Sequence, residues 1–222
     1  MIKSRKIQLI YRSVFLLILF LGIIGSLGAY SGSFNTNFYV MYTNLSNYIC
    51  FGVMIAELVF TIKALKKKED DGTDSPITKL KFLAAIWILI TFAVYNILLG
   101  DITSVSYWTS INNLTLHLIC PIMFIVDFII FTSKHSLNWL DPIWVLSFPY
   151  VYVAFILIRA AIIDHNTATV IYPYFFLNVD KYNYNGVLLW VLVLTIVFIG
   201  LGYLFCVINR EPWKKKKIEI EE

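Results

Sequence analysis

Apolar residues run along this chain in six blocks, separated by shorter polar stretches, over roughly residues 10–30, 38–65, 80–99, 112–132, 142–163 and 186–208. About 20 apolar residues in a helix cross a hydrocarbon core of roughly 30 Å. The pattern predicts an all-α polytopic membrane protein, a bundle of six transmembrane helices. They form one domain over residues 1–213, followed by a charged tail over 214–222. The breaks are readable. Residues 31–37 are a short polar turn, and 66–76 (KKKEDDGTDSP) read as a soluble loop ended by Gly72 and Pro76. Residues 100–111 carry Tyr107 and Trp108 at interface depth. Residues 164–185 form a long aromatic loop, and Pro149 is expected to bend the fifth span.

The fourth block is the least ordinary. It is apolar enough to cross a bilayer, yet it holds His117, Pro121 and Asp127. An ionisable group in a span costs a few kcal/mol, about 2.5 or more, unless it faces protein or water. The fourth helix is therefore expected to face inward, with its neighbours packed round it. In the first block Gly22, Gly25 and Gly28 recur every third residue and permit close helix contact.

Composition supports the solvent assignment: 59% of residues are apolar and 14% charged, with a mean hydropathy of +0.75. Soluble domains run nearer a quarter charged. Basic residues fix orientation. Sixteen of the 18 lie at one end, in the N-terminal segment, the second connection, the fourth connection and the C-terminal tail. Arg159 and Lys181 alone lie at the other. The positive-inside rule then places both termini in the cytoplasm of a multi-pass cell (plasma) membrane protein. The first block, preceded by Lys3, Arg5, Lys6 and Arg12, resembles a signal peptide but is longer than its apolar core, and reads as a retained helix. The four-lysine tail fits anionic lipid rather than nucleic acid, which needs an aromatic-basic module. Cys50, Cys120 and Cys206 are odd in number and lie in apolar runs, so neither a disulfide framework nor a metal site is expected. Nothing suggests a cofactor, and the two halves share no repeat of the transporter kind.

With orientation fixed, polar groups from four spans share the outer third. They are Thr43, Asn44, Ser46 and Asn47 in the second, Asp101 ending the third, Asn113 and His117 in the fourth, and Arg159 in the fifth. At 100° per residue, Thr43, Asn47 and Cys50 share one stripe, and Asn113, His117, Pro121 and Phe124 another. If both stripes face inward, a hydroxyl meets an imidazole, the generic activated nucleophile. Asn44, Asn47 and Asn113 are candidate oxyanion donors. Arg159 either snorkels to the interface or grips a carboxylate or phosphate. Glu57 and Asp127 lie in the inner thirds, as neutral structural pairs or as a proton path.

These residues carry a resemblance. Tyr42–Asn47 (YTNLSN) resembles the Y/F-T-x-x-S-N element of bacterial Pr6Pr-type integral membrane proteins, and His117-x-x-x-Pro121 with Asp127 resembles their H-x-x-x-P…D element. Residues 172–179 (YPYFFLNV) resemble their Y-P-Y-x-F-L-D-V loop, with Asn178 where Asp is usual. More distantly the pattern is similar to the FAR-17a/AIG1-like (androgen-induced) membrane threonine hydrolases. That resemblance implies cleavage of fatty acid esters of hydroxy fatty acids, with Thr43 as nucleophile and His117 as base. Arg159 would then hold a free carboxylate, and the loop beginning at Tyr172 would cover the site. The expected partners are membrane lipids and a fatty-acyl substrate. The alternatives are a small-molecule or ion transporter working through Glu57 and Asp127, or a non-enzymatic scaffold.

Overall fold

The computed structural model describes residues 1–210, so the tail over 214–222 and the domain boundary at 213 lie outside the described residues. Six helices are long and apolar enough to cross a membrane: α1 (Arg5–Ser26), α2 (Tyr42–Lys66), α3 (Thr78–Leu99), α4 (Ile111–Phe131), α5 (Asp141–Ile162) and α6 (Val179–Asn209). No strand occurs among the described residues. The chain is a multi-pass, all-α membrane protein.

One end of the bundle gathers the N-terminus and both cytoplasmic connections. Ile2 N donates to Ile130 O (3.1 Å), Arg5 N to Asp70 O (2.9 Å) and Lys134 Nζ to Ile208 O (2.9 Å). This end carries the basic residues and is the inner end by the positive-inside rule.

The axis of the bundle is α3, not α4. Residues 84–88 of α3 are buried in unbroken succession, and α3 packs on α2, α4, α6 and the start of α5. Between lipid-bathed helices there is little hydrophobic drive, so contact depends on close backbone approach and polar pairs. Ala84 and Ala85 permit that approach on α3. On α1, Gly22 and Gly25 lie directly against α4. A Cβ on Gly22 would meet Thr115 Oγ1 at 2.6 Å, and one on Gly25 would overlap Asn112 Oδ1. By contrast α4 keeps Ile119, Ile122 and Ile129 exposed and is inward on one face only.

The inner half is locked by charge. The Arg12 guanidinium bridges two carboxylates, Nη1 to Glu57 Oε2 at 3.0 Å and Nε to Asp127 Oδ2 at 3.1 Å. It also donates to Thr61 Oγ1 at 2.7 Å. Lys81 Nζ pairs with the other Asp127 oxygen, and Ser75 Oγ donates to Glu57 Oε1 at 2.6 Å. All four charged side chains are at most 3% exposed. Arg12 and Lys81, read from the sequence only as orientation signals, are buried partners of Glu57 and Asp127. The N-terminal segment is also tied down. Arg5 pairs with Asp74 (2.7 Å), and the buried Gln8 donates to Gly72 O (2.7 Å). These contacts fold part of the 66–76 loop over the charges as a lid, although Lys66–Asp71 stay exposed.

Removing one member of a buried ion pair strands its partner, at a cost of roughly 3–5 kcal/mol. Arg12→Met should therefore lower unfolding stability in detergent micelles by that amount. Adding Glu57→Gln and Asp127→Asn to Arg12→Met should recover a large part of it. Wild-type stability in the single variant would mean that the four charges do not hold the inner half together.

Candidate functional site

Two prolines shape the outer half. Pro121 brings no N–H to the carbonyls one turn before it. Before it, α4 widens into a π-helical stretch over Leu114–Ile119. The carbonyls of Leu116 and His117 find other donors, Asn47 Nδ2 at 3.1 Å and Asn96 Nδ2 at 2.9 Å. Pro149 does the same in α5, where Val145 O accepts from Trp87 Nε1 at 2.8 Å. The helix changes from 3-10 geometry (Asp141–Leu146) to α-helix at Ser147, two residues before Pro149. Both Asn96 and Trp87 belong to α3, whose side chains thus satisfy backbone that proline leaves unpaired. A buried carbonyl without a donor would otherwise be costly.

Above this level lies a small apolar cavity between α2, α3, α5 and α6. Thr43 is on its wall with Tyr95, Tyr152, Tyr174 and Phe198. The loop after α5 closes it. Tyr174 is buried, stacked on Phe176 (centroids 5.3 Å apart) and wedged beside Tyr152 (6.3 Å). Its hydroxyl accepts from Thr43 N at 3.3 Å and lies 3.4 Å from Thr43 Oγ1. The first turn of a helix leaves amides without partners; here the loop supplies one. Arg159 Nη1 holds the loop by donating to Val170 O (2.9 Å) and Ile171 O (3.2 Å).

Behind this cavity, between the outer ends of α1, α2 and α4, a wide polar vestibule opens outward. His117 and Asn44 line it. The His117 ring stacks on Tyr95, centroids 3.3 Å apart and planes 10° off parallel. The two hollows are therefore back to back: Tyr95 faces one and its stacking partner the other, as do the neighbours Thr43 and Asn44.

The predicted site residues are close in depth but not joined. Among the described residues Thr43 and His117 share no hydrogen bond; the hydroxyl meets Tyr174 and the imidazole lies on Tyr95. Asn47 is unsuited to an oxyanion role as placed, since its amide donates to Thr43 O (2.8 Å) and Leu116 O. Asn44 Nδ2 donates to Phe38 O at 2.9 Å, and Asn113 Oδ1 accepts from the Tyr95 hydroxyl at 2.8 Å. One nitrogen of the Arg159 guanidinium, Nη1, is taken by the loop carbonyls of Val170 and Ile171. Tyr172 reaches Asp180 (3.4 Å) instead of the cavity, and Tyr174 takes the place expected of it. Asp101 is exposed and turned to Thr103, whose hydroxyl and amide hold its carboxyl below the ordinary carboxylate range. Tyr174, Tyr95 and Asn96 were not singled out by the sequence; the Y-P-Y-x-F run was the available signal for Tyr174.

As it stands the arrangement can hold an apolar chain beside one hydroxyl, and can hydrogen-bond a polar group from outside. No family model, no curated protein and no solved structure matches this chain.

The carbonyl-capping role is testable. Asn96→Ala should cost about 1–3 kcal/mol by leaving His117 O without its donor. Pro121→Ala in that background returns a backbone N–H and should recover part of the loss. Strictly additive losses, measured by thermal unfolding in detergent, would refute the link between Pro121 and Asn96.

Proposed function

We propose that this protein binds the acyl chain of a lipid in the outer half of a cell membrane. The observation that carries the reading is the apolar cavity, walled by aromatic and aliphatic side chains, with the Thr43 hydroxyl beside Tyr174 on its wall. A second, smaller apolar hollow shares Pro149, Val153, Leu194 and Phe198 with it and lies between α5 and α6 at the same depth. The α5–α6 seam between them is sparsely packed above the Asp141–Leu146 turn, which gives a chain a sideways route from the bilayer. Concave, mostly apolar sites with a few fixed polar groups suit such ligands.

The sharper reading is ester hydrolysis, and Thr43 on the cavity wall favours it, together with the distant resemblance to the membrane threonine hydrolases, whose helix-2 Thr and H-x-x-x-P His fall on Thr43 and His117. Thr43 Oγ1 would attack the ester carbonyl and pass its proton to a base; the alcohol would leave carrying a proton, and water would then release the acid. For His117 to be that base, Tyr95 must turn aside. The transporter alternative is weaker, because Glu57 and Asp127 are both matched by buried cations.

The test uses the full chain in nanodiscs with a diazirine-bearing fatty acyl ester. Crosslinks should map to residues 172–177 and the α5–α6 seam, and Leu194→Trp should cut labelling several-fold. Undiminished labelling in Leu194→Trp would exclude this cavity. A fluorophosphonate probe separates binding from chemistry: it should label Thr43, lose that label in Thr43→Ala and lose most of it in His117→Ala. Equal labelling of all three proteins would remove Thr43 as nucleophile and leave the binding site standing.

A further inference from the structure

The vestibule behind the acyl cavity has its own chemistry. It is lined by asparagine, serine and threonine side chains with Tyr30 and Phe34, and no Asp, Glu, Lys or Arg contributes to its wall. Its hydrogen-bonding capacity is only partly used. The Asn112 amide and the His117 ring make no hydrogen bond among the described residues. Asn37 and Asn44 donate from their amide nitrogens, to Thr169 Oγ1 (2.8 Å) and Phe38 O (2.9 Å), which leaves each carbonyl oxygen unpaired. Room for Asn112 is made by Gly25, where any side chain would collide with its oxygen. At the rim Tyr30 and Phe34 are 48% and 66% exposed, two aromatic faces beside an amide-lined hollow.

An amide offers donors and an acceptor side by side, and a hydroxyl offers one of each. A wall of such groups matches a ligand with many hydroxyls and no charge. A phosphate brought here would leave water without meeting a cation, and strong phosphate sites are built from cations and charge-assisted bonds. A primary or quaternary amine would find no carboxylate. The open aromatic faces suit the C–H faces of a sugar ring.

We propose that this vestibule is a binding site for an uncharged polyol, a glycosyl or glyceryl group presented at the outer surface. Two sources carry that chemistry, the headgroup of a glycolipid and a free oligosaccharide. The site is separate from the acyl cavity: its polar groups come from the outer ends of α1, α2 and α4 and the segment between α1 and α2, with Thr169 of the α5–α6 loop as the one contribution from the element that closes the cavity.

The experiment uses the full chain in phosphatidylcholine nanodiscs with three probes: monoglucosyl diacylglycerol doped into the disc, phosphatidylglycerol doped likewise, and maltotriose in solution. Binding is read by native mass spectrometry for the lipids and by saturation-transfer NMR for the sugar. The glucosyl lipid should be retained at least tenfold over phosphatidylglycerol, which bears a glycerol diol but also a charge. Asn112→Leu should abolish that preference. Asn37→Leu, at a half-buried loop position where folding is little at risk, should weaken it several-fold. Saturation transfer from maltotriose that Asn37→Leu removes would assign the site to free glycans and support the same chemistry. Equal or tighter retention of phosphatidylglycerol, or retention of neither sugar-bearing probe, would overturn the proposal. So would sugar binding that both variants leave unchanged. In each of those cases acyl-probe labelling of residues 172–177 is expected to persist, so failure here is distinct from failure of the acyl site.

Discussion

Four charges without water set the terms for this molecule. Arg12, Glu57, Lys81 and Asp127 come from four different helices, α1 to α4, and each is buried to within a few per cent. In hydrocarbon a lone member would be driven to neutralise or to the interface. Together they sum to zero formal charge, and Thr61 and Ser75 take hydrogen-bonding positions the ions leave open. Such a cluster is weak evidence for net stability, since desolvation offsets much of the attraction. Its effect is better described as register. With Asp127 between Arg12 and Lys81, α4 cannot slide or rotate against α1 and α3 without separating opposite charges. The depth of every residue above it, His117 included, follows from that pin.

The outer half is built on the opposite device, backbone set free and then capped. Pro121 and Pro149 remove donors from α4 and α5, and α3 replaces them with Asn96 and Trp87. A rigid central helix with polar side chains at two levels thus tolerates irregular neighbours, and irregular helix is where membrane proteins open cavities. Tyr95 sits in the last, π-helical turn of α3, between the apolar cavity and the vestibule. The partition of the outer half into a dry and a wet compartment therefore rests on one aromatic ring and the imidazole stacked upon it.

The six spans and the basic flank were legible because lipid imposes an apolar run of fixed length and an excess of lysine and arginine on one side. The starts of α1 and α6 were not, lying five and seven residues before the expected 10 and 186, so the helix takes up part of the expected 164–185 loop. Pairing was not legible. A cation near the inner end of a span looks the same in sequence whether it snorkels or is buried, and only the approach of α1 to α2 and α4 makes Arg12 a partner of Glu57 and Asp127. The polar stripes had the right depth. The stripe through Asn113 and His117 assumes 100° per residue, however, and a π-helical insertion over Leu114–Ile119 shifts the phase between them. That shift accounts for an imidazole lying on Tyr95 when regular helix geometry aims it toward Thr43. Tyr174 was hidden for a different reason. In a loop with several aromatics, which one inserts depends on the backbone path, and here Arg159 fixes that path through two carbonyls.

These halves impose a direction on whatever the protein handles. The carboxylates that would relay a proton or cation through the inner half are held by Arg12 and Lys81, and the 66–76 loop covers them through Ser75 and Gly72. The vestibule opens outward, and the dry cavity borders the α5–α6 seam, which faces lipid. A ligand can therefore approach from the exterior or from the bilayer, and leaving inward would require breaking the ion cluster that sets helix register. On the reading proposed above, such a layout suits recognition or chemistry at the outer leaflet rather than passage across it. The closure over Thr43 is the packed Tyr174 ring with two hydrogen-bonding contacts, separate from the charges below.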